Sequence, residues 1–251
     1  MIYFQTTPNN AGVYVYGDYK DFDALYESLH DIMWDKNENI IYESAMNRVM
    51  GVCYDLRHAI MGDREIEFVD NGMNADKMKW FAKVCSDKNM YYRIEILWPE
   101  LLFVMISLND FIKLYAVKKS KMRYDTMLYK ENIWDSAIAY TRIFQAEAAK
   151  CIGSLFPKPM FSRINNLLNK NYSIIDNYIT QYIDVLNINF LKLDKEKRIK
   201  SIPGIAKKIT EFNREYQSLS YDIKEAAKEY NCPTSDIKLN DLEDYPEEID
   251  W

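Results

Sequence analysis

The segment from Trp98 to Tyr115 constrains the fold more than any other. Leu101, Val104, Met105, Leu108, Phe111, Ile112 and Tyr115 recur at helical spacing and form one continuous apolar stripe. Pro99 suits the first helical turn, where its missing N–H costs nothing. A stripe of this length needs covering, so the flanking segments have to build a core around it. The chain has 251 residues, long enough for such a core, and its 48% apolar and 28% charged content is an ordinary globular balance. Its 20 Tyr and 11 Phe bring large areas to bury, and 7 Gly and 7 Pro leave little room for long irregular loops.

Upstream of this helix, strands and helices are mixed. Residues 2–7 and 13–16 are rich in β-branched and aromatic side chains, and the turn formers of 8–12 join them into a hairpin. Asp18 or Asp21 can cap the next helix, with Phe22, Leu25, Tyr26 and Leu29 inward. After the polar stretch 35–39, a helix of about twenty residues ends at Gly62. Residues 65–69 and 90–97 alternate as strands, with a short helix between them, and Tyr91, Arg93, Glu95 and Leu97 share one side of the second.

Downstream, the pattern is helical throughout. Residues 131–156 read as one helix, broken by Pro157 and Pro159, and 160–170 as a shorter one. Ser173 can cap a helix running to Leu191. Ile205, Ile209, Phe212, Tyr216, Leu219, Ile223, Ala226 and Tyr230 form a heptad seam, expected to pair with the 173–191 helix or with a second copy of the chain. The expected class is therefore α+β: a small, mainly antiparallel sheet with helices, then a helical bundle with a long helical hairpin. The expected divisions are an α+β region over 1–117, a basic connector over 118–130, helices over 131–232 and an acidic tail over 233–251.

No run of about 18 apolar residues exists, so no membrane span is expected. The N-terminus lacks the pattern of a secretion signal. Cys53, Cys85, Cys151 and Cys232 are widely spaced and read as buried free thiols, which points to the cytoplasm. With only His30 and His58, a multi-histidine metal site is excluded, and no cofactor signature is present. The net charge of −6 is matched by the tail alone, where seven carboxylates face Lys238. The body is thus near neutral, which disfavours broad nucleic-acid binding. The tail's Leu242, Tyr245 and Trp251 suit it to a protein partner or to docking on its own chain.

Chemistry, if present, should sit in the polar segment 54–67. Asp55 and His58 are three apart on a helix and can meet on one face, where a carboxylate can orient a histidine for acid/base work. Asp63 and Glu65 follow at the turn, with Arg57 and Arg64 as ligand-binding candidates. Asp63, Glu65, Glu67 and Glu95 can cluster if their strands pair, although neither strand carries the (Asp/Glu)-x-Lys of many metal-dependent nucleases. The competing account is structural: Arg57 and His58 at a helix C-terminus complement its dipole. Separately, residues 200–212 resemble the helix-hairpin-helix DNA-binding motif at Pro203, Gly204 and Ile205. Lys207 and Lys208 would neutralise phosphate there, but Ala206 stands where a second glycine is usual.

Three blocks resemble an uncharacterised bacterial family known only as a domain of unknown function: residues 7–12 with the following Gly-Asp-Tyr and Leu-Tyr-Glu, 51–58 through 62–65 and 70–72, and 96–100 through 108–111. The resemblance covers roughly 1–115. It implies a bacterial, cytosolic setting and brings no activity, cofactor or substrate. The residues themselves favour a protein-interaction or binding module. The alternative is a metal-dependent or acid/base enzyme acting on nucleic acid or a phosphorylated ligand through residues 55–67.

Overall fold

The computed structural model describes residues 1–33, 42–121, 124–169, 177–237, 246 and 248–251. The 35–39 stretch, Arg123, the Ser173 cap, Leu242 and Tyr245 lie outside the described residues.

Strands β1 (Tyr3–Thr6) and β2 (Gly12–Gly17) form the expected antiparallel hairpin, with Phe4 opposite Val15. The Asp18 side chain accepts from the Asp21 N–H and Asp21 accepts from the Asp18 N–H, so both expected caps act together at the start of helix α1 (Tyr19–Met33). Helix α2 (Glu43–Met61), strand β3 (Glu65–Asp70), the short helix α3 (Ala75–Trp80) and strand β4 (Lys88–Leu97) follow. The strands make one antiparallel sheet in the order β1-β2-β4-β3. At Gly12 a Cβ would lie 2.0 Å from the Ile96 carbonyl oxygen, so the close approach of β2 to β4 requires glycine.

Phe4, Val13, Val15, Tyr92, Ile94 and Ile96 are buried on the sheet's inner face. Strand β4 turns at Leu97 directly into helix α4 (Trp98–Lys119). Every residue from Leu101 to Leu108 is buried, where the sequence showed a single stripe. The reason is placement: α4 contacts β4, α1 and α2 from the N-terminal half and helices of the C-terminal half as well.

Those later helices are α5 (Lys130–Ile133), α6 (Ser136–Leu155), α7 (Lys158–Leu168), α8 (Asn177–Leu191), α9 (Lys195–Glu211) and α10 (Arg214–Glu229). The fold is α+β, with no strand after Leu97 among the described residues. One buried cluster runs from Ile2 to Tyr216. Helix α6 packs on α1 and β1, while α8 and α9 pack on α4.

Two expected helices are divided. The 131–156 segment breaks at Trp134, because Asp135 accepts from the Ile138 N–H and starts α6 afresh. The 205–230 segment breaks at Phe212, which is left-handed (φ 45°), and Asn213 caps α10 by accepting from the Tyr216 N–H. Helix α9 begins at Lys195, so Pro203 and Gly204 lie in its interior. This corrects the DNA-binding expectation, since Gly204 presents no helix N-terminus to a phosphate. Lys207 pairs with Glu211 at 3.7 Å and Lys208 with Glu215 at 2.8 Å. Of the heptad seam, Ile205, Ile209, Tyr216 and Ile223 are buried within the chain, Phe212, Leu219 and Ala226 are half-buried, and Tyr230 is exposed.

All four cysteines are free. Cys53 and Cys151 are buried as expected, but Cys232 is half-buried and Cys85 is exposed beyond α3. Among the described residues no helix is long and apolar enough to cross a membrane.

Candidate functional site

Helix α2 ends at Gly62 in the left-handed region (φ 89°), and the N–H groups of Gly62 and Asp63 reach back to the carbonyls of Ala59 and His58. That turn reverses the chain into β3 and folds residues 63–65 over the last turns of α2. The polar side chains then pair differently from the spacing-based expectation. His58 Nδ1 meets Asp63 Oδ2 at 3.1 Å, and the His58 ring packs against Tyr54 at 4.2 Å between centroids. Asp55 is taken by Arg64 at 2.7 Å. Asp55 and His58 therefore do not form the acid/base pair, because the turn supplies each with a nearer partner. Glu65 is exposed and lies opposite Arg93 in the ladder, and Arg57 is exposed.

Two hollows adjoin at this joint. The first, about 450 Å³, is lined by Asp55, Asp63, Arg64, Glu65, Arg93, Ile94, Glu95 and Trp251. It gathers three of the four carboxylates expected to cluster; Glu67 instead engages the Tyr16 hydroxyl further along the sheet. Burial and Glu67 together push the Tyr16 phenol up to about 12. The second, a cleft of about 500 Å³, shares Asp55, Glu95 and Trp251 and runs over Gly51 and Val52 towards α4 and α8. Its inner end is an ion network. Arg48 Nε and Nη2 donate to Glu100 at 2.8 and 2.6 Å, while Nη1 donates to Asp184 at 2.9 Å and to the Thr180 carbonyl at 2.7 Å. Asn187 Nδ2 donates to Glu100 at 3.2 Å.

The charges are unbalanced. Around the joined hollows, Arg48, Arg64 and Arg93 face Asp55, Asp63, Glu65, Glu95, Glu100 and Asp184. Burial pushes the Glu95 carboxyl up; Arg93 opposes the shift, and Glu65 and Asp55 add to it. Burial also raises Asp184 despite Arg48, with Glu100 adding to the rise. Burial alone would lower Arg48, but Glu100 and Asp184 hold it above its ordinary value. Among the described residues, no group of three His, Cys, Asp or Glu side chains could hold a metal ion.

The cleft's rim includes the end of the acidic tail. Asn9 N–H donates to the Trp251 carbonyl at 3.0 Å and Asn9 Nδ2 to Asp250 Oδ1 at 2.6 Å. Arg198 Nη1 reaches the carbonyls of Asn9 and Asp250, and its Nη2 that of Leu191. Residues 249–251 are thus docked on the chain itself.

Sequence reasoning missed Arg48, Glu100, Asp184 and Asn187. Polar residues on amphipathic helices look solvent-facing, and nothing local marks four of them as converging from three helices. Glu95 carried a signal, as the carboxylate beside Arg93 on an alternating strand.

Two further surfaces were not foreseen. On the sheet's outer face Tyr3 stacks on Tyr16 at 4.7 Å, Tyr91 meets Tyr3 edge-on at 5.5 Å, and Arg93 lies 4.3 Å over the Tyr14 ring. Beyond the helical layer, β3, α3 and the start of β4 project as an arm. Every residue of β3 is exposed except half-buried Val69, and α3 buries nothing. The arm shows Ile66, Phe68 (62% exposed), Trp80 (85%), Phe81, Val84 and Met90 to solvent.

No curated protein and no solved structure matches the chain. The model of a family described as a domain of unknown function (DUF6904) matches residues 2–251, so the likeness seen over the first half extends to the helical half. With sheet, cleft and helices all inside that match, the chain belongs to the DUF6904 family.

Proposed function

We propose that this protein is a binding module that takes up an extended segment of a protein partner along the free edge of β3. The observation that carries the reading is the arm. Among the described residues β3 pairs only with β4, so its outer edge retains unpaired backbone groups. Its side chains alternate: Ile66 and Phe68 point to one side, Glu65 and Glu67 to the other. An added strand gains backbone hydrogen bonds from the edge and selectivity from the alternate side chains. The complementary segment has apolar residues on one face and Lys or Arg on the other.

Selection of random peptides on the folded protein tests this. The expected outcome is enrichment of alternating basic and apolar peptides, whose binding is lost in Phe68→Arg and Glu67→Lys. Enrichment of no such pattern, or binding that survives both substitutions, ends the reading.

One observation favours an acid/base enzyme as a second reading: His58 is held by Asp63 at the mouth of an acidic hollow, and Asp63 can orient the ring for proton transfer. Hydrolytic screening of phosphorylated substrates with wild type and His58→Ala separates the two readings, since turnover lost with His58 is not expected of a pure binding module.

A further inference from the structure

We propose that the 500 Å³ cleft between α2, β4, α4 and α8 is a binding site for a small organic cation, an ammonium or guanidinium on a short aliphatic body. Its size suits a small ligand. Val52, Ile96, Leu97 and Ile249 supply apolar walls, and Trp251 adds an aromatic side chain of the kind that holds ammonium groups.

The sign of the ligand follows from two independent observations. The first is the carboxylate surplus, which an anion would meet at every approach and a cation would relieve. The second is Asn187, which lines the cleft and is only 2% exposed. Its amide orientation is fixed, because Glu100 can only accept, so the nitrogen must face that carboxylate. The Oδ1 is then left without a hydrogen-bond partner among the described residues. A buried acceptor in that position has a cost that a ligand donor removes. Ammonium and guanidinium groups carry donors and no acceptors, which matches a lining dominated by acceptors. The raised Glu95 and Asp184 carboxyls agree, since burial outweighs the arginine beside each and neighbouring carboxylates add to the rise.

Gly51 offers a way to block the cleft without disturbing the fold. It lies on α2, and a Cβ built on it meets nothing within 4 Å. Gly51→Leu places its side chain in the open cleft. Glu95→Gln removes one charge at the same shape, and Asn187→Leu removes the orphan acceptor while leaving Glu100 to Arg48. None of the three touches the β3 edge, so this inference and the strand-addition reading fail separately.

The experiment is calorimetric titration of the full chain with cadaverine and agmatine, with 1,5-pentanediol as the uncharged match. Thermal melting of each variant confirms that it is folded. The expected result is saturable one-to-one binding of at least one cation with Kd below about 1 mM, no binding of the diol, and at least about tenfold weakening in Gly51→Leu and Glu95→Gln. Asn187→Leu, where it melts cooperatively, weakens binding in the same direction. Absence of binding by both cations up to about 10 mM, equal binding of the diol, or affinity unchanged in folded Gly51→Leu overturns the proposal.

Discussion

Strand β4 has two halves with different support. From Tyr92 to Leu97 its inward side chains are buried, and the strand packs on α2 and α4. From Lys88 to Met90 every residue is exposed, and among the described residues this stretch pairs as a strand only with β3. Both halves keep the same antiparallel register. Hydrogen bonding therefore continues where packing stops. In the inner half burial sets the register, because a slip of one residue would turn Ile94 and Ile96 outward. In the arm, local turns hold it instead: Gly72 N–H bonds to Asp70, and Asn74 caps α3 by accepting from the Lys77 N–H. The apolar side chains left over in the arm are exposed and lie outside the buried core.

Mutations can break this contrast, beginning with the interior. Phe103→Ala in α4 should cost about 3–5 kcal/mol, measured by urea unfolding, because the ring is fully buried and its removal leaves a cavity that the surroundings fill only in part. Gly12→Ala should cost about 3 kcal/mol or somewhat less, as the added carbon forces β2 away from the Ile96 carbonyl. Asp135→Ala should cost about 1 kcal/mol through loss of the α6 cap.

That aspartate also gives a pH signature. Burial alone would raise its carboxyl, but hydrogen bonds from Lys119 and from the Ile138 N–H outweigh burial and hold it below the ordinary range. Its contribution is present above the unfolded carboxylate range and is lost as pH falls through the lower folded value. Wild type should thus lose more stability than Asp135→Ala on acidification.

Gly51→Ala should go the other way and stabilise by about 0.5–1 kcal/mol, since this mid-helix glycine has open space beside it. Phe68→Ser, in the arm, should shift stability by no more than about 0.5 kcal/mol. Were it to cost as much as the α4 substitution, the arm would be part of the core and its apolar side chains would not be free for binding.

How far these regions could be read from the sequence also differs. The β1–β2 hairpin, the α1 caps and the start of α4 were legible because turn formers, Asp18, Asp21 and Pro99 act over a few residues. The breaks at Trp134 and Phe212 were masked by apolar periodicity running on through them, although Asp135 and Asn213 are cap residues in plain view. A left-handed phenylalanine has no local marker. Pro203 signalled a helix start, yet α9 carries it in its interior, where burial of Ile202, Ile205 and Ile209 outweighs one lost backbone bond. At the site, the turn residues were found but not their pairing. Whether Asp55 meets His58 or Arg64 depends on how the chain leaves Gly62, a tertiary matter that spacing along a helix does not contain.

The burial of the first half of α4 on all sides has a consequence for synthesis on the ribosome. By the time residue 119 emerges, the sheet and α1 and α2 can already fold against one side of this helix. The other side waits mainly for α8 and α9, which end at Leu191 and Glu211. During that interval a row of large apolar side chains faces solvent or a chaperone. A nascent chain stalled with residue 130 just clear of the exit tunnel should therefore be held by chaperones, and one stalled with α9 clear of the tunnel should not.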